Sequence, residues 1–243
     1  QTIVYHENFE IADAVVSSGN PNWGPELVYQ AQGLASYKNQ VATADTSWLT
    51  TNAFNTIGNS NVIFEFDQIC KIEYNDFGRI EVSNDNGVTW NLVTFTSYLG
   101  TAPFQALGNR FASSAYAAWQ PGNNAATPNN SWWRHETFDI SLLAGNAAQV
   151  KIRFKLYDGN ANGNVSNFGW LLDALKVTMA ASELTPPVIT PLPPIYSGNV
   201  FNLGPFTIND SITDASGIDS ATLFYTLNNG PLQNVIMTNV SGN

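Results

Sequence analysis

The stretch that most constrains the fold runs Phe168-Gly169-Trp170-Leu171-Leu172-Asp173-Ala174-Leu175-Lys176-Val177. It is almost continuously apolar, opened by a glycine and interrupted by one carboxylate, Asp173. Strands buried on both faces read this way, because neither side alternates toward water. A carboxylate inside such a strand has lost its hydration and needs an ion pair, hydrogen bonds or a metal in exchange. The acidic run Glu7-Asn8-Phe9-Glu10, at the other end of the same domain, is the expected partner. First and last strands are therefore expected to meet.

The rest of the chain carries the two-residue period of strands and lacks the apolar stripe of a helix. Strands are expected within Thr2–Val16, Leu27–Leu34, Tyr37–Ala42, Ser47–Thr51, Val62–Asp67 with Ile72–Tyr74, Arg79–Ser83, Trp90–Thr96, Trp132–Ile140 and Val150–Tyr157. Residues 100–131 change character, with Ala, Ser, Asn, Gly and Pro around scattered aromatics, and read as one long loop. Loops of that length in a compact domain are commonly functional. Beyond Met179 the prolines from Pro186 to Pro194 read as an extended linker over 182–195. Short strands then resume at Val200–Leu203, Phe206–Ile208, Ala221–Leu227 and Val235–Met237, with a hairpin turn at Asn228-Asn229-Gly230. The expected organisation is an all-β chain: a sandwich over 1–181, the linker, and a second, truncated β domain over 196–243.

With 9 basic against 19 acidic residues, the net charge is −10. The balance argues against a nucleic-acid or anionic-membrane partner, for want of a basic footprint to neutralise phosphates, and favours a soluble acidic surface. Cys70 is the sole cysteine, so the chain forms no internal disulfide. Its apolar surroundings suit a buried hydrophobe better than a nucleophile. No apolar run is long enough to span a membrane as a helix. The chain opens Gln-Thr-Ile-Val-Tyr without Met, as a mature exported protein does after its signal peptide is removed. The expected location is extracellular or at the cell surface.

One local motif is complete. Ser83-Asn84-Asp85-Asn86-Gly87-Val88-Thr89-Trp90 fits the Asp-box pattern Ser-x-Asp-x-Gly-x-Thr-Trp. Asp85 is expected to accept backbone N–H groups across the turn and Gly87 to supply a positive φ. Trp90 is expected to tuck the hairpin against the core. A single copy argues for a folding element and against a propeller.

Glu7-Asn8-Phe9-Glu10, the Asp-box hairpin, Trp133 followed by Phe138-Asp139-Ile140-Ser141, and the closing Gly169-Trp170-Leu171-Leu172-Asp173 together resemble MAM-like jelly-roll modules. The segment from Ile212-Thr213-Asp214 through Leu223-Phe224-Tyr225 to Ser241-Gly242-Asn243 resembles an immunoglobulin-like module that often follows. The combination is similar to surface proteins of Bacteroidota exported by a type IX secretion system. The disulfides of animal MAM domains are absent. This resemblance implies a structural calcium joining first and last strands, with Glu10 and Asp173 as best ligands and Glu7 and Asn8 as seconds. Such hard oxygen donors suit Ca²⁺. It also implies partners in the secretion machinery and, at Asp210-Ser211-Ile212 and Asp219-Ser220-Ala221, O-glycosylation on Ser211 and Ser220.

Asp158-Gly159-Asn160-Ala161-Asn162-Gly163 matches the first half of an EF-hand loop, but its twelfth position falls on Gly169, so an Asn/Gly-rich turn is the better reading. Tyr116, Trp119 and Trp132 form a candidate sugar-stacking platform on the long loop, with Trp23 and Trp48 as further candidates; Trp133 and Trp170 read as core. Catalytic constellations fail. His135-Glu136 lacks the second histidine of a zincin, and Glu65 and Asp67 share a strand face as alternating polar residues ordinarily do. The expected function is a non-catalytic binding or adhesion module for a glycan or surface protein. The alternatives are an accessory region of a secreted hydrolase and an architectural segment of a surface filament.

Overall fold

The computed structural model describes residues 1–11, 14–19, 22–39, 46–73, 75–120, 122–159, 167–181, 187–191, 208–214, 218 and 220–238. The chain divides into two compact units, Gln1–Ser182 and Glu183–Asn243.

The first unit contains β1 (Thr2–Glu7), β2 (Val15–Gly19), β3 (Gly24–Glu26), β4 (Ser36–Asn39), β5 (Thr46–Thr51), β6 (Asn59–Lys71), β7 (Phe77–Ser83), β8 (Asn91–Leu92), β9 (Arg134–Asp139), β10 (Lys151–Tyr157) and β11 (Gly169–Ala181). They form two antiparallel sheets. Sheet A runs β3-β4-β11-β6-β9, with β1 also paired to β11, and sheet B runs β2-β5-β10-β7-β8. Consecutive strands repeatedly cross between the sheets, so the fold is a jelly-roll β-sandwich, as expected.

The apolar stretch explains the centre of sheet A. β11 pairs along one edge with β6 and along the other with β4 and then β1, so its backbone is satisfied on both sides. Trp170, Leu171, Leu172, Leu175 and Val177 are all buried. The core is aromatic where the sheets face each other. Phe154 of β10 lies 5.0 Å from Phe66, 5.5 Å from Trp170 and 5.9 Å from Phe64. Gly78 makes that contact possible, since a Cβ there would fall 2.7 Å from the Trp170 indole.

Several expectations are corrected. Leu27–Leu34 is not a strand: Leu27, Val28 and Leu34 are exposed, and the segment is held as a loop by carboxylates. The Thr2–Val16 region holds two strands in different sheets, because Glu7 and Phe9 turn the chain between them. Val62–Asp67 and Ile72–Tyr74 lie within or beyond one long strand, β6. Residues 100–131 are not an open loop. Phe104, Phe111, Ala112, Ala115 and Trp119 bury into the core, giving short 3₁₀ turns that cap the sandwich.

In the second unit, β12 (Val188–Pro191) pairs with β13 (Asp210–Thr213) and β14 (Thr222–Tyr225) with β15 (Gln233–Ile236), all antiparallel. Asn228 and Asn229 take φ of 51° and 59°, as the expected hairpin turn demands. β12 falls inside the stretch read as linker. The rest of that linker, and the strands expected over 200–207, lie outside the described residues.

Candidate functional site

The corner between first and last strands is built on backbone N–H groups. Asp173 Oδ2 accepts from Ala31 N at 2.9 Å and Gln32 N at 3.0 Å, and Oδ1 accepts from Ala174 N at 2.7 Å. Ala174 sits at φ 53° where the β11–β6 register shifts, a bulge that turns the carboxylate out of the ladder. Glu10 Oε1 accepts from Leu34 N at 2.7 Å, on the same loop. Gly33 lies between at φ +63°, and a Cβ there would fall 1.9 Å from Glu10 Oε1, so only glycine fits. Glu7 accepts from Phe9 N at 2.6 Å and Ala14 N at 2.9 Å, and Asn8 Oδ1 more loosely from Glu10 N at 3.4 Å. Burial pushes the Asp173 carboxyl up to about 6 against the pull of its N–H donors. The donor chemistry of this corner, all hard oxygen, suits calcium. Its oxygens are nevertheless directed at N–H groups, and among the described residues no group of three or more His, Cys, Asp or Glu is placed to hold a metal.

The expected stacking platform is corrected in part. Trp119 has no exposed surface; its Nε1 donates to Trp132 O at 2.8 Å, and Lys71 Nζ, itself buried, donates to Trp119 O. Tyr116 packs edge-on against Trp119 at 4.7 Å and donates its hydroxyl to Glu136 at 2.9 Å. Trp132 is half-buried, with Lys71 Nζ 5.5 Å from its ring. A loop that caps a core turns its large aromatics inward, which composition alone does not reveal. Trp23 is buried too, 5.9 Å from Trp170.

The same capping segment closes over a buried carboxylate. Glu136 accepts from Tyr98 Oη at 2.6 Å, Tyr116 Oη at 2.9 Å and Gln68 Nε2 at 2.9 Å, while Gln68 Oε1 accepts from Trp170 Nε1 at 2.8 Å. Burial raises Glu136, with these donors opposing, and the same burial beside Glu136 pushes Tyr116 up to about 12. This network ties three strands of sheet A, β6, β9 and β11, to the cap.

The Asp-box closes as its residues demand. Ser83 Oγ donates to Asp85 Oδ1 at 2.6 Å, Thr89 N and Oγ1 donate to Asp85 at 2.9 and 2.6 Å, and Gly87 takes φ 92°. Hydrogen bonds from Ser83 and Thr89 hold Asp85 down at about 2. Trp90, however, does not join the core. Its indole lies 4.1 Å beneath the Arg153 guanidinium on the outer face of sheet B. Arg153 projects from the outward side of β10, and the cation holds the ring in place.

That outer face carries a mixed row of aromatic and charged side chains. Inward residues of β5, β7 and β10 are buried, and outward ones are half-exposed: Trp48 and Thr50, Phe77, Arg79 and Glu81, Arg153, Lys155 and Tyr157. Register places Trp48, Lys155 and Arg79 in one row across three strands, with Tyr157 beside Phe77 in the next. The Phe77 and Tyr157 rings lie 4.7 Å apart, and Arg79 stands 4.1 Å over Phe77. Among the described residues, Trp48 Nε1 and Arg79 Nε are buried donors with no acceptor. Of this face the sequence reading singled out Trp48 and Trp90 alone. The alternation Lys151-x-Arg153-x-Lys155-x-Tyr157, set beside Phe77-x-Arg79-x-Glu81, is the signal that marks the rest.

Two further clusters are structural in geometry. His135 bridges Asp67 (Nδ1–Oδ1 2.9 Å) and Glu65 (Nε2–Oε1 3.3 Å), with Lys176 2.8 Å from Glu65, so the paired carboxylates of β6 are neutralised. Asp76 is buried beside Asp158 and held at about 6, by burial first and then by that neighbouring charge against its hydrogen bonds. Asp158 opens the EF-hand-like segment, whose residues 160–166 lie outside the described ones. Cys70 is buried, and burial pushes its thiol well up. Ser211 and Ser220 are both exposed.

No family model matches the chain, and no curated protein does. Solved structures do. TmCBM61, in complex with β-1,4-galactotriose, matches 68% of this chain and 88% of its own at 11% identity and TM-score 0.41. A C-terminal family 22 carbohydrate binding module from Clostridium thermocellum covers 74% and 95% at 12% identity and TM-score 0.41. The K3 cleaved adhesin domain of Lys-gingipain from Porphyromonas gingivalis W83 covers 73% and 99% at 12% identity and TM-score 0.43. No helix among the described residues is long and apolar enough to cross a membrane.

Proposed function

We propose that the first unit is a non-catalytic glycan-binding module of an exported or surface-displayed protein, and that the glycan lies across the outer face of sheet B. The observation that carries this reading is the row of Trp48, Lys155 and Arg79 beside Phe77 and Tyr157 on the half-exposed face of the sheet. Sugar rings present apolar C–H faces and rims of hydroxyls. Aromatic rings receive the faces, and the charged ends of Lys155 and Arg79 receive the oxygens. The jelly-roll scaffold supplies a rigid platform, so little ordering entropy opposes binding.

Calcium belongs to the same reading as a support of the scaffold. Glu10 and Asp173, with Glu7 and Asn8, are the residues that would hold it, at the corner opposite in chemistry to the basic face. An MAM-like first unit, an immunoglobulin-like second one, type IX export with its machinery as partner, and O-glycosylation at Ser211 and Ser220 complete the proposal. The sequence resemblance supports them.

The test is a glycan array probed with the full chain, the chain carrying Trp48→Ala, and the chain carrying Trp132→Ala. Loss of a signal with Trp48→Ala and its retention with Trp132→Ala is expected. An array that stays blank, or whose signals ignore Trp48→Ala, overturns the proposal.

A further inference from the structure

Sheet B also concentrates charge. The chain carries 9 Lys and Arg residues against 19 Asp and Glu. Five of those nine cations, Arg79, Arg110, Lys151, Arg153 and Lys155, gather on the outer side of β7 and β10 or against its rings. Glu81 is the one carboxylate pointing out of β5, β7 and β10, and it is consumed by an ion pair with Arg153. Among the described residues, Arg79, Lys151 and Lys155 have no carboxylate within ion-pair distance. A chain of net charge −10 has thus set its scarce cations side by side, where they repel one another. Arg110 shares the Phe77 ring with Arg79, at 5.9 and 4.1 Å from ring centre to guanidinium carbon. Burial first, and then the positive Arg110, push Arg79 down, with Glu81 opposing. Five like charges gathered around one outward carboxylate of these strands cost stability unless an anion joins them.

We infer that the glycan bound on sheet B carries carboxylates, and that Arg79 and Lys155 are the residues that read them. This inference rests on the glycan reading above and names its substrate class: a uronic-acid polysaccharide. Guanidinium forks match carboxylates two bonds at a time, and Arg79 is an outward, half-exposed position of β7. Along β10 the cations recur every second residue, roughly 7 Å apart, and neighbouring strands stand about 4.8 Å away. Such a grid suits a polymer with one charge per sugar or per few sugars. The flanking rings of Trp48, Phe77 and Tyr157 receive the sugars between charges. Nucleic acid is the competing polyanion. Its charge of one per about 1.7 Å would meet the acidic remainder of the chain, which disfavours it.

The experiment is affinity electrophoresis of the full chain through gels containing polygalacturonate, alginate, fully methyl-esterified polygalacturonate, dextran sulfate or single-stranded poly-dT. Polygalacturonate or alginate is expected to retard the protein. Methyl esterification, which removes the charge and keeps the backbone, is expected to weaken binding by about tenfold or more. Lys155→Gln and Arg79→Gln are each expected to do the same, with unchanged melting temperature certifying the fold; Lys155→Gln, on a half-exposed side chain, is the safer of the two. Retardation is also expected to fall as salt rises from ~50 to ~500 mM. Equal binding of the esterified polymer overturns the carboxylate inference and leaves the glycan reading standing. Equal or stronger retention by dextran sulfate or poly-dT overturns it as non-specific polyanion binding. No retention in either uronate gel overturns it as well. The glycan reading falls separately, with an array that stays blank or whose signals ignore Trp48→Ala.

Discussion

Glu10 and Asp173, 163 residues apart in the chain, hold one loop between them: Asp173 takes the N–H groups of Ala31 and Gln32, and Glu10 that of Leu34. Neither carboxylate touches the other's donor, and the loop is the bridge. Removing the acceptor is therefore expected to loosen the loop without unpairing the strands. Asp173→Ala should cost about 1–3 kcal/mol for each buried donor left without a partner. Amide exchange at Ala31 and Gln32 should accelerate while β6 amides stay protected. Unchanged exchange at those two positions would contradict the arrangement.

The calcium proposal makes a sharper claim about the same corner. If Glu10 and Asp173 hold an ion, elemental analysis finds about one calcium per chain and a chelator lowers the melting temperature. Metal-free protein with an unaltered melting temperature means that the N–H groups alone make the clasp.

Asp76 and Asp173 give a pH dependence whose sign is unusual for carboxylates. Both are held at about 6, above the ordinary value of about 3.9 in an unfolded chain. The folded state then binds more protons than the unfolded one between roughly pH 4 and 6. Their contribution is fully present below about 4 and is lost as pH rises through 6. Asp158→Asn removes the charge beside Asp76 and should flatten part of that loss, on the order of 1 kcal/mol or about 2–4 °C in melting temperature near pH 7. A melting curve series from pH 4 to 8 reads it directly.

His135 works in the following window. Burial lowers its proton affinity, but hydrogen bonds to Asp67 and Glu65 outweigh that and raise it. Its contribution is complete below the unfolded value of about 6.5 and fades as pH climbs through the folded one. His135→Ala should lower the melting temperature at pH 5.5 more than at pH 8.5. An equal loss at both would show that the bridge carries no charge.

Trp119 and Trp48 should separate fold from binding. Trp119→Ala empties a fully buried site and is expected to cost about 3–5 kcal/mol. Trp48→Ala, on a half-exposed strand position, should leave the melting temperature within a few degrees and abolish retention by glycan.

The elements with a strong local signal were readable from sequence. The buried strand around Leu171 and the Asp-box turn both appear where their residues demand, because burial on two faces and a side-chain-closed turn are local facts. Leu27–Leu34 was not readable as a loop. Its apolar residues suggest a strand, and the carboxylates that hold it come from Glu10 and Asp173, far along the chain. Trp119 misled for the opposite reason: glycine- and asparagine-rich neighbours suggest exposure, and only the packing around Phe104 and Phe111 shows the segment to be a cap. The basic face was written in plain alternation on β7 and β10. It becomes visible once the register sets the strands side by side and adds Arg110, which no spacing rule connects to them.

The position of β11 has a kinetic consequence. It is the last strand of its unit in sequence and yet a central one in sheet A, with β6 on one side and β4 and β1 on the other. A chain made or threaded from its N-terminus therefore exposes three unfinished strand edges until residue 181 arrives. Closure then comes late, through long-range pairings that carry a high loop-closure cost. Folding of the unit should be slow and all-or-none, and a chain halted before Gly169 should remain open to chaperones, proteases and translocation alike.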